Sequence, residues 1–296
     1  MAQGINLAEK YSSQLEQAFL RESVIQSNVN NEYSFEGVRG VYIYSVVTQP
    51  LHDYQRSGVW RYGQPVELQD DTQHLVLSQD KSFSLTIDKG NNKDQMNAKR
   101  AGAVVKQQVG EQVVPWFDKY ALTAWNTAAS ALAGAAPTKA NIVDIFANAR
   151  KSFVNDNIPV NTEQNIAYIS ATNYAYLLLN PEFISVEKLG EKHLVKGEVG
   201  KCMGWKVIEV PDSYLPSGTH VLFTHKSKVL APTKISELFI RNDVPGISGT
   251  LIEGRYYGDA FALKTLVNST TYDSAHPEGA GTFAVKGVLK ATTSAG

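Results

Sequence analysis

Apolar and small side chains recur every three or four residues over residues 97–133. This spacing is that of one face of an α-helix. A helix of about 37 residues rises roughly 55 Å, whereas a compact chain of this length has a diameter of roughly 50 Å. Pro115 lies inside the repeat and has no backbone N–H, so we expect a kink or a restart there, the alternative being two helices of roughly 25–30 Å each. The pattern therefore predicts an element about as long as the folded chain itself.

Strand patterns precede this helix. Residues 38–47, VRGVYIYSVV, are rich in Val, Ile and Tyr, and residues 74–88, HLVLSQDKSFSLTID, alternate between apolar and polar positions with a predicted turn at residues 79–81. Between them, residues 48–71 contain proline, glycine, aromatic and arginine side chains. We interpret this stretch as an extended ribbon. Because a two-stranded ribbon is marginally stable alone, we expect it to lie on another surface.

The spacing of apolar side chains in residues 5–20 predicts a short amphipathic helix. Its apolar positions are Leu7, Tyr11, Leu15, Ala18 and Phe19. Such a helix packs either on its own domain or on a neighbouring molecule. Residues 22–37, ESVIQSNVNNEYSFEG, are polar and rich in Asn, so we expect them to contribute little to a core. This composition favours an arm that reaches a neighbour.

The chain after the long helix predicts helices and strands without a regular alternation. Thr138 is placed to cap a helix that extends to Phe153. Residues after Asn268 are small and polar, and we expect a peripheral extension with one strand at residues 282–289. Further strands are predicted at residues 165–170, 205–211, 220–225, 237–242 and 249–267, and a short helix at residues 172–180. With no internal repeat and no βαβ pattern, the fold class is predicted as α+β.

Composition narrows the classes of protein. The chain has 296 residues, of which 43% are hydrophobic and 19% charged, enough for a substantial core. The formal net charge of −1 argues against the basic surface of a dedicated nucleic-acid-binding protein. The single cysteine, Cys202, fits a reducing cytoplasm, and no window of 18 apolar residues predicts a membrane span.

The sequence lacks the local motifs of catalytic and cofactor-binding sites. Its six histidines form no H-E-x-x-H pair, and one cysteine excludes a thiolate zinc cluster. Asp70, Asp71 and His74 are close in sequence, but a solvated turn is a more common role for such residues than a metal site. We therefore predict that the chain is not an enzyme and has no catalytic residue, cofactor or metal.

Several segments together resemble the major capsid proteins of tailed bacteriophages. They are HLVLSQDKSFSLTIDKGNNKDQ before the long helix, VVPWFDKYAL within it, and KVIEVPDSYLP, VLFTHKSKVLAPTKI and VPGISGTLIEGRYYGDAFAL after it. The resemblance covers residues 5–267 and implies the Hong Kong ninety-seven capsid fold. It implies an N-terminal arm at 1–37, an extended β-hairpin called the E-loop at 38–90, the spine helix of the P domain at 91–134, an A domain of mixed strands and short helices at 135–222, P-domain return strands at 223–267 and a C-terminal extension at 268–296.

The resemblance also implies that the E-loop lies on a neighbouring subunit. Aromatic residues and Arg are enriched in interface cores. For Trp60 the alternative is a local cap over its own ribbon. Repeated heterologous contacts around a rotation axis would close a ring. The predicted interface residues are Tyr54, Arg56, Trp60 and Arg61 in the E-loop and Leu7, Tyr11 and Leu15 in the arm.

The function implied by the resemblance is that of a major capsid protein that self-assembles into the icosahedral shell of a tailed phage around double-stranded DNA. Its implied partners are copies of itself in hexamers and pentamers, a separate scaffolding protein, portal and decoration proteins, and packaged DNA in weak non-specific contact. The implied location is the virion, after assembly in the host cytoplasm. Two alternatives stay open: the shell of an encapsulin-type nanocompartment, and a soluble enzyme or ligand-binding protein.

Overall fold

The computed structural model describes residues 22–33, 35, 39–63, 65–94, 101–160, 163–180, 201–242, 244–246, 248–268 and 281–293. The helices are α1 Lys89–Asp94, α2 Ala101–Gln108, a π-helical turn Val109–Val113, α3 Val114–Ala128, α4 Ile142–Asn155 and α5 Ala171–Leu178. The strands are β1 Gly40–Val46, β2 Asp70–Val76, β3 Gln79–Asp88, β4 Ser130–Gly134, β5 Asn165–Ser170, β6 Lys201–Cys202, β7 Trp205–Val210, β8 Thr219–His225, β9 Val229–Leu230, β10 Thr233–Asn242, β11 Gly249–Gly258, β12 Phe261–Ala262, β13 Lys264–Asn268, β14 Gly281–Val285 and β15 Val288–Thr293. The predicted α+β class is confirmed.

The described residues divide into two compact units. The smaller unit contains residues 22–23, 78–118 and 233–258, and the larger unit contains residues 24–77, 119–232 and 259–293. Each unit has its own sheet and its own buried side chains, so each is described by itself.

A mixed six-stranded sheet forms the centre of the larger unit, in the order β4-β15-β8-β5-β7-β6. Helices α4 and α5 cover one face through the apolar stripe that the sequence predicts for α4. Phe146 meets Phe223 at 5.2 Å between ring centroids, and Trp205 lies 4.8 Å from both Phe223 and Phe153. Aromatic pairs at these distances add to the free energy gained by burial, so they hold the helices on the sheet.

The second half of the predicted arm contributes to the core, which corrects the expectation that residues 22–37 contribute little to it. Ile25 and Val29 are buried, and the backbone N–H of Asn30 donates to the carbonyl oxygen of Val229 at 2.8 Å. Lys226 Nζ donates to the carbonyl oxygen of Ser27 at 3.1 Å. These polar groups therefore have partners, and the apolar side chains of Ile25, Val29 and Phe35 are buried.

The C-terminal residues are not peripheral, and that expectation is wrong. Strand β15 lies inside the six-stranded sheet, parallel to β4 and antiparallel to β8. Its residues Val288, Leu289 and Ala291 are buried. The strand bridges β4 to the rest of the sheet, because β15 is the strand that pairs with β4 among the described residues.

The long helix ends at its C-terminal side earlier than the predicted residue 133. It finishes at Ala128, and Ser130–Gly134 form strand β4, while residues 97–100 lie outside the described residues. There is no restart at Pro115. Instead, residues 109–113 form the π-turn, in which the N–H of Val114 donates to the carbonyl oxygen of Val109. A proline clashes with the carbonyl four residues before it, and the wider π-turn just ahead of Pro115 accommodates that clash within a continuous helix.

The smaller unit is built on a three-stranded antiparallel sheet in the order β10-β11-β3. Strand β3 begins at Gln79, so the predicted turn at residues 79–81 is wrong; the strand pairs with β11 along its whole length. Arg255 on β11 forms an ion pair with Asp80 on β3 at 2.6 Å. Phe117 of α3 packs on Tyr256 of β11, with ring centroids 4.9 Å apart.

Thr138 caps the turn that leads into helix α4, as predicted, although the helix itself begins at Ile142. Its hydroxyl accepts a hydrogen bond from the N–H of Asn141 at 3.4 Å, and its carbonyl oxygen accepts one from the N–H of Ile142 at 3.1 Å. The Asn141 side chain in turn accepts a hydrogen bond from the N–H of Thr138 at 2.6 Å. The Asn141 amide thus closes the turn that leads into the helix, because short polar side chains bond readily to nearby backbone groups.

A strained turn yields the first prediction. Strands β6 and β7 are joined by Met203 and Gly204, which have φ angles of +50° and +88°, the type I′ geometry that favours Asn-Gly. Replacing Met203 by Asn should raise the free energy of unfolding by about 1 kcal/mol, because Asn tolerates a positive φ better. Urea denaturation measures the change. The matched control, Met203→Leu, should leave stability unchanged; an Asn variant no more stable than the Leu variant contradicts the prediction.

The second prediction concerns acid stability. His225 is buried on β8, where burial, with the charge of Lys228 beside it, lowers the pKa of its imidazole below 6.5. A lowered pKa means that the folded chain binds the proton less tightly than the unfolded chain, so the free energy of unfolding should fall as the pH drops through 6.5. Urea titrations from pH 7.5 downwards test this. His225→Gln should show a shallower fall than the unmodified chain or the control His52→Gln, and equal slopes in all three would refute it.

Candidate assembly surface

The loop between β1 and β2 extends beyond the paired part of its hairpin. The two strands pair from Gly40 opposite Val76 to Val46 opposite Asp70. The last backbone bond of this ladder joins the N–H of Val47 to the carbonyl oxygen of Gln69 at 2.9 Å. Residues 48–63 and 65–68 therefore leave the sheet as a loop without strand pairing, where the sequence predicts a two-stranded ribbon.

The tip of this loop has a defined conformation of its own. The N–H of Gln55 donates to the carbonyl oxygen of Arg61, and the N–H of Gly63 donates to that of Trp60, both at 3.1 Å. The rings of Tyr54 and Tyr62 meet edge to face with centroids 5.0 Å apart. These contacts connect the two sides of the loop, so its aromatic side chains are presented in a fixed arrangement.

The loop exposes large apolar side chains that one copy of the chain does not bury. Tyr54 and Trp60 are 51% and 58% exposed, and Val59 is 89% exposed. Burying such a side chain fully contributes about 1.5–3 kcal/mol, so a partner that covers several of them would be bound favourably. The surface, called the assembly loop surface below, consists of Tyr42, Tyr44, Val46, Leu51, Tyr54, Val59, Trp60, Tyr62 and Leu68.

The residues of the loop that the sequence predicts as interface residues are all exposed in the single chain. Tyr54 and Trp60 belong to it, and Arg56 and Arg61 are exposed beside them. An exposed Trp60 is not a buried cap over its own ribbon. The three arm residues, Leu7, Tyr11 and Leu15, lie outside the described residues.

Sequence reasoning missed the part of the surface on strand β1. Tyr42, Tyr44 and Val46 are exposed, whereas Ile43 is buried against Leu230 and Leu263. The signal was present, because alternate residues of a strand point to opposite faces. Tyr42 and Tyr44, two residues apart, are both exposed, which indicates that the outer face of the hairpin also belongs to the proposed interaction surface.

Asp70, Asp71 and His74 lie on strand β2 and take part in the β1–β2 hairpin, not in a metal site. The ring of His74 stacks on Tyr42 at 4.1 Å, nearly parallel to it, and Asp70 lies opposite Val46. Among the described residues, no group of three or more His, Cys, Asp or Glu side chains is arranged to hold a metal ion. The same part of the chain contains no helix with the length and hydropathy needed to cross a membrane.

The third prediction tests whether the tip conformation is local. Gly63 has a φ of +82°, and a Cβ there would overlap the ring of His52. Gly63→Ala should displace His52 and break the turn between residues 60 and 63, but leave the unfolding midpoint unchanged because the tip buries nothing in its own unit. NMR of the histidine ring protons reports the first effect and thermal denaturation the second. Gly218→Ala, at an equally positive φ with open space around it, is the control for strain alone.

Comparison with known proteins identifies the fold. No family model and no curated protein matches the sequence. Among solved structures, a chain of Mycobacterium phage Che8 is 18% identical with a TM-score of 0.70, and the alignment covers 98% of both chains. The capsid of cyanophage P-SCSP1u gives 12% identity, a TM-score of 0.66 and coverage of 98% of this chain and 93% of that one. The mature capsid of bacteriophage PhiM1 gives 12% identity, a TM-score of 0.67 and coverage of 97% of this chain and 92% of that one. Over nearly its whole length, this chain therefore has the fold of phage capsid chains.

Proposed function

We propose that this chain is the major capsid protein of a tailed phage and assembles with copies of itself into an icosahedral shell around double-stranded DNA. The observation that carries the proposal is the assembly loop surface, which leaves nine large apolar side chains for a partner to cover. The likeness in fold to phage capsids over nearly the whole chain supports the same conclusion. A shell protein needs such a surface, because its subunits are held together by burying what a single copy exposes.

The proposed contact is heterologous, with the loop of one subunit on a different surface of the next. Contacts of this kind close rings such as hexamers and pentamers when the rotation between subunits permits. Trp60 and Tyr54 are the proposed anchors, with Arg56 and Arg61 forming polar contacts at the rim. The arm residues Leu7, Tyr11 and Leu15 are proposed as a second contact.

The finer parts of the proposal follow from the resemblance in sequence. They include the Hong Kong ninety-seven fold, the domain boundaries given above, a structural and non-enzymatic role, and location in the virion after assembly in the host cytoplasm. Scaffolding, portal and decoration proteins are proposed partners. The net charge of −1 supports only weak, non-specific contact with packaged DNA.

Electron microscopy of the purified, overexpressed full-length chain tests the proposal. Closed shells or capsomer-sized rings are the expected result in negative stain. A single small species at high concentration contradicts the shell function and supports the reading as a soluble enzyme or ligand-binding protein. Shells that copurify with an enclosed enzyme contradict the phage function and support an encapsulin-type compartment.

The fourth prediction tests the loop. Trp60→Ala with Arg61→Ala should leave the circular dichroism spectrum unchanged, because both side chains are exposed in the single chain. It should weaken each loop contact by about 2–4 kcal/mol if Trp60 is a central anchor, so closed shells should be largely lost under conditions where the unmodified chain forms them.

The matched control is Gln55→Ala with Ser57→Ala, two polar positions of the same exposed loop. This control should assemble normally, which separates loss of the apolar anchor from a general change in the loop. Normal shells from the Trp60 and Arg61 double variant would rule out the loop as a principal contact.

A further inference from the structure

Strand β10 lies at the edge of the three-stranded sheet of the smaller unit. It pairs with β11 along its length, and no other described strand pairs with its second side. Leu238, Phe239 and Ile240 in the middle of this strand are between 43% and 48% exposed. A long edge strand with apolar side chains presents backbone N–H and C=O groups with which another strand can pair.

The two faces of this edge have different side chains, because alternate residues of a strand point to opposite faces of the sheet. Glu237, Phe239 and Arg241 share one face and are all exposed. Leu238 and Ile240 share the other face, where Leu238 lines a cavity of about 460 Å³ between the long helix and the sheet. One face therefore has an acid, an aromatic ring and a base in order, and the other has two aliphatic side chains.

Contacts within the single chain leave the charges of this face available to a partner. The guanidinium carbon of Arg241 lies 5.1 Å from the centroid of the Phe239 ring, so its charge stays beside that ring. Arg255, which is opposite Glu237 on β11, forms its ion pair with Asp80 at 2.6 Å. Within the part of the chain that the structure describes, Glu237 has no ion pair of its own.

The order of these side chains is self-complementary about Phe239. When two copies of the strand pair antiparallel around a two-fold axis at this residue, Glu237 of each copy lies opposite Arg241 of the other. Phe239 then lies opposite its own equivalent, and on the second face Leu238 lies opposite Ile240. Pairs of opposite charge and pairs of apolar side chains directly across two strands contribute about 0.2–1 kcal/mol each.

Neighbouring registers lose this match. An axis at Glu237 brings two acids together, and an axis at Arg241 brings two bases together. An axis at Leu238 sets Glu237 against Phe239, and an axis at Ile240 sets Phe239 against Arg241. Of the axes at residues 237–241, only the one at Phe239 sets each charge against an opposite charge, so the sequence of the edge specifies one register.

We propose that strand β10 pairs antiparallel with β10 of a second copy around a two-fold axis at Phe239, which joins two three-stranded sheets into one of six strands. This contact is isologous, unlike the heterologous contact proposed for the loop, and it uses none of the assembly loop surface. Because one strand pair buries little area, we expect weak association when it acts alone. The contact needs only two copies of the chain and does not depend on the shell function.

Single cysteines in the full-length chain test the register. Residues directly opposite in an antiparallel pair have Cα atoms roughly 4.5–5.5 Å apart, within the range of a disulfide. Phe239→Cys, oxidised with copper phenanthroline, should therefore give a linked dimer on a non-reducing gel. The control Asn242→Cys is also exposed, but its equivalent would lie roughly 20 Å away along the strands, so it should stay unlinked. Cys202 is buried, and the unmodified chain measures its background.

Charge reversals in the Phe239→Cys chain test the pairing. Glu237→Lys sets two bases opposite each other, and Arg241→Glu sets two acids opposite each other, so each alone should lower the linked fraction by about tenfold. In an equimolar mixture of these two variants, every charge of the mixed dimer again meets an opposite charge. The mixture should therefore recover the link, which a change in folding alone would not produce.

The outcomes decide the proposal. Linking at residue 239 but not at 242, with recovery in the mixture, supports it. Equal linking at the two positions, no link at residue 239, or no recovery in the mixture would overturn it. Electron microscopy of the same samples scores shells separately: linked dimers that form no shells would refute the capsid function and leave this contact standing, and shells without the link would overturn this contact alone.

Discussion

Burial of aromatic side chains is the interaction on which this structure depends. In the larger unit, Phe146, Phe153, Trp205 and Phe223 form a continuous series of ring contacts between α4 and the six-stranded sheet, and all four are buried. On the assembly loop surface, residues of the same kind stay exposed. Burial of these exposed side chains by a partner would gain the same kind of free energy that stabilises the core, because a single copy does not bury them itself.

The long helix continues through Pro115 although proline normally breaks or kinks a helix. Pro115 removes one backbone bond and crowds the carbonyl of Glu111. The π-turn at Val109–Val113 widens the helix just before the proline, and the helix continues to Ala128. A break at Pro115 would have divided the element in two. The π-turn instead keeps one helix, with its valines along the cavity of the smaller unit.

The sequence predicts the helices and strands that have a regular pattern of apolar residues. It does not predict those whose burial depends on pairing with segments far away in the chain. Helix α4 and strand β5 follow directly from their apolar spacing, and the loop was found from its aromatic and arginine content. The sequence predicts a peripheral extension where strand β15 lies, because small, polar neighbours give no sign of its pairing with β4 and β8, more than sixty residues away in the chain. Ile25 was missed because hydrogen bonds from other segments satisfy its polar neighbours. At the candidate site, Tyr42 and Tyr44 were missed because a strand assignment without its partner does not say which face is covered.

A loop that contributes little to its own core can serve assembly only if docking does not cost too much conformational entropy. Ordering each flexible side chain at an interface costs about 0.5–1.5 kcal/mol. The hydrogen bonds across the tip and the contact between Tyr54 and Tyr62 order the loop before it meets a partner. Aromatic side chains add large contact area with few rotatable bonds. In the proposed contact, ordering within the single chain would leave more of the free energy of burying Trp60 available for binding, and repeated weak contacts in a large assembly require such ordering.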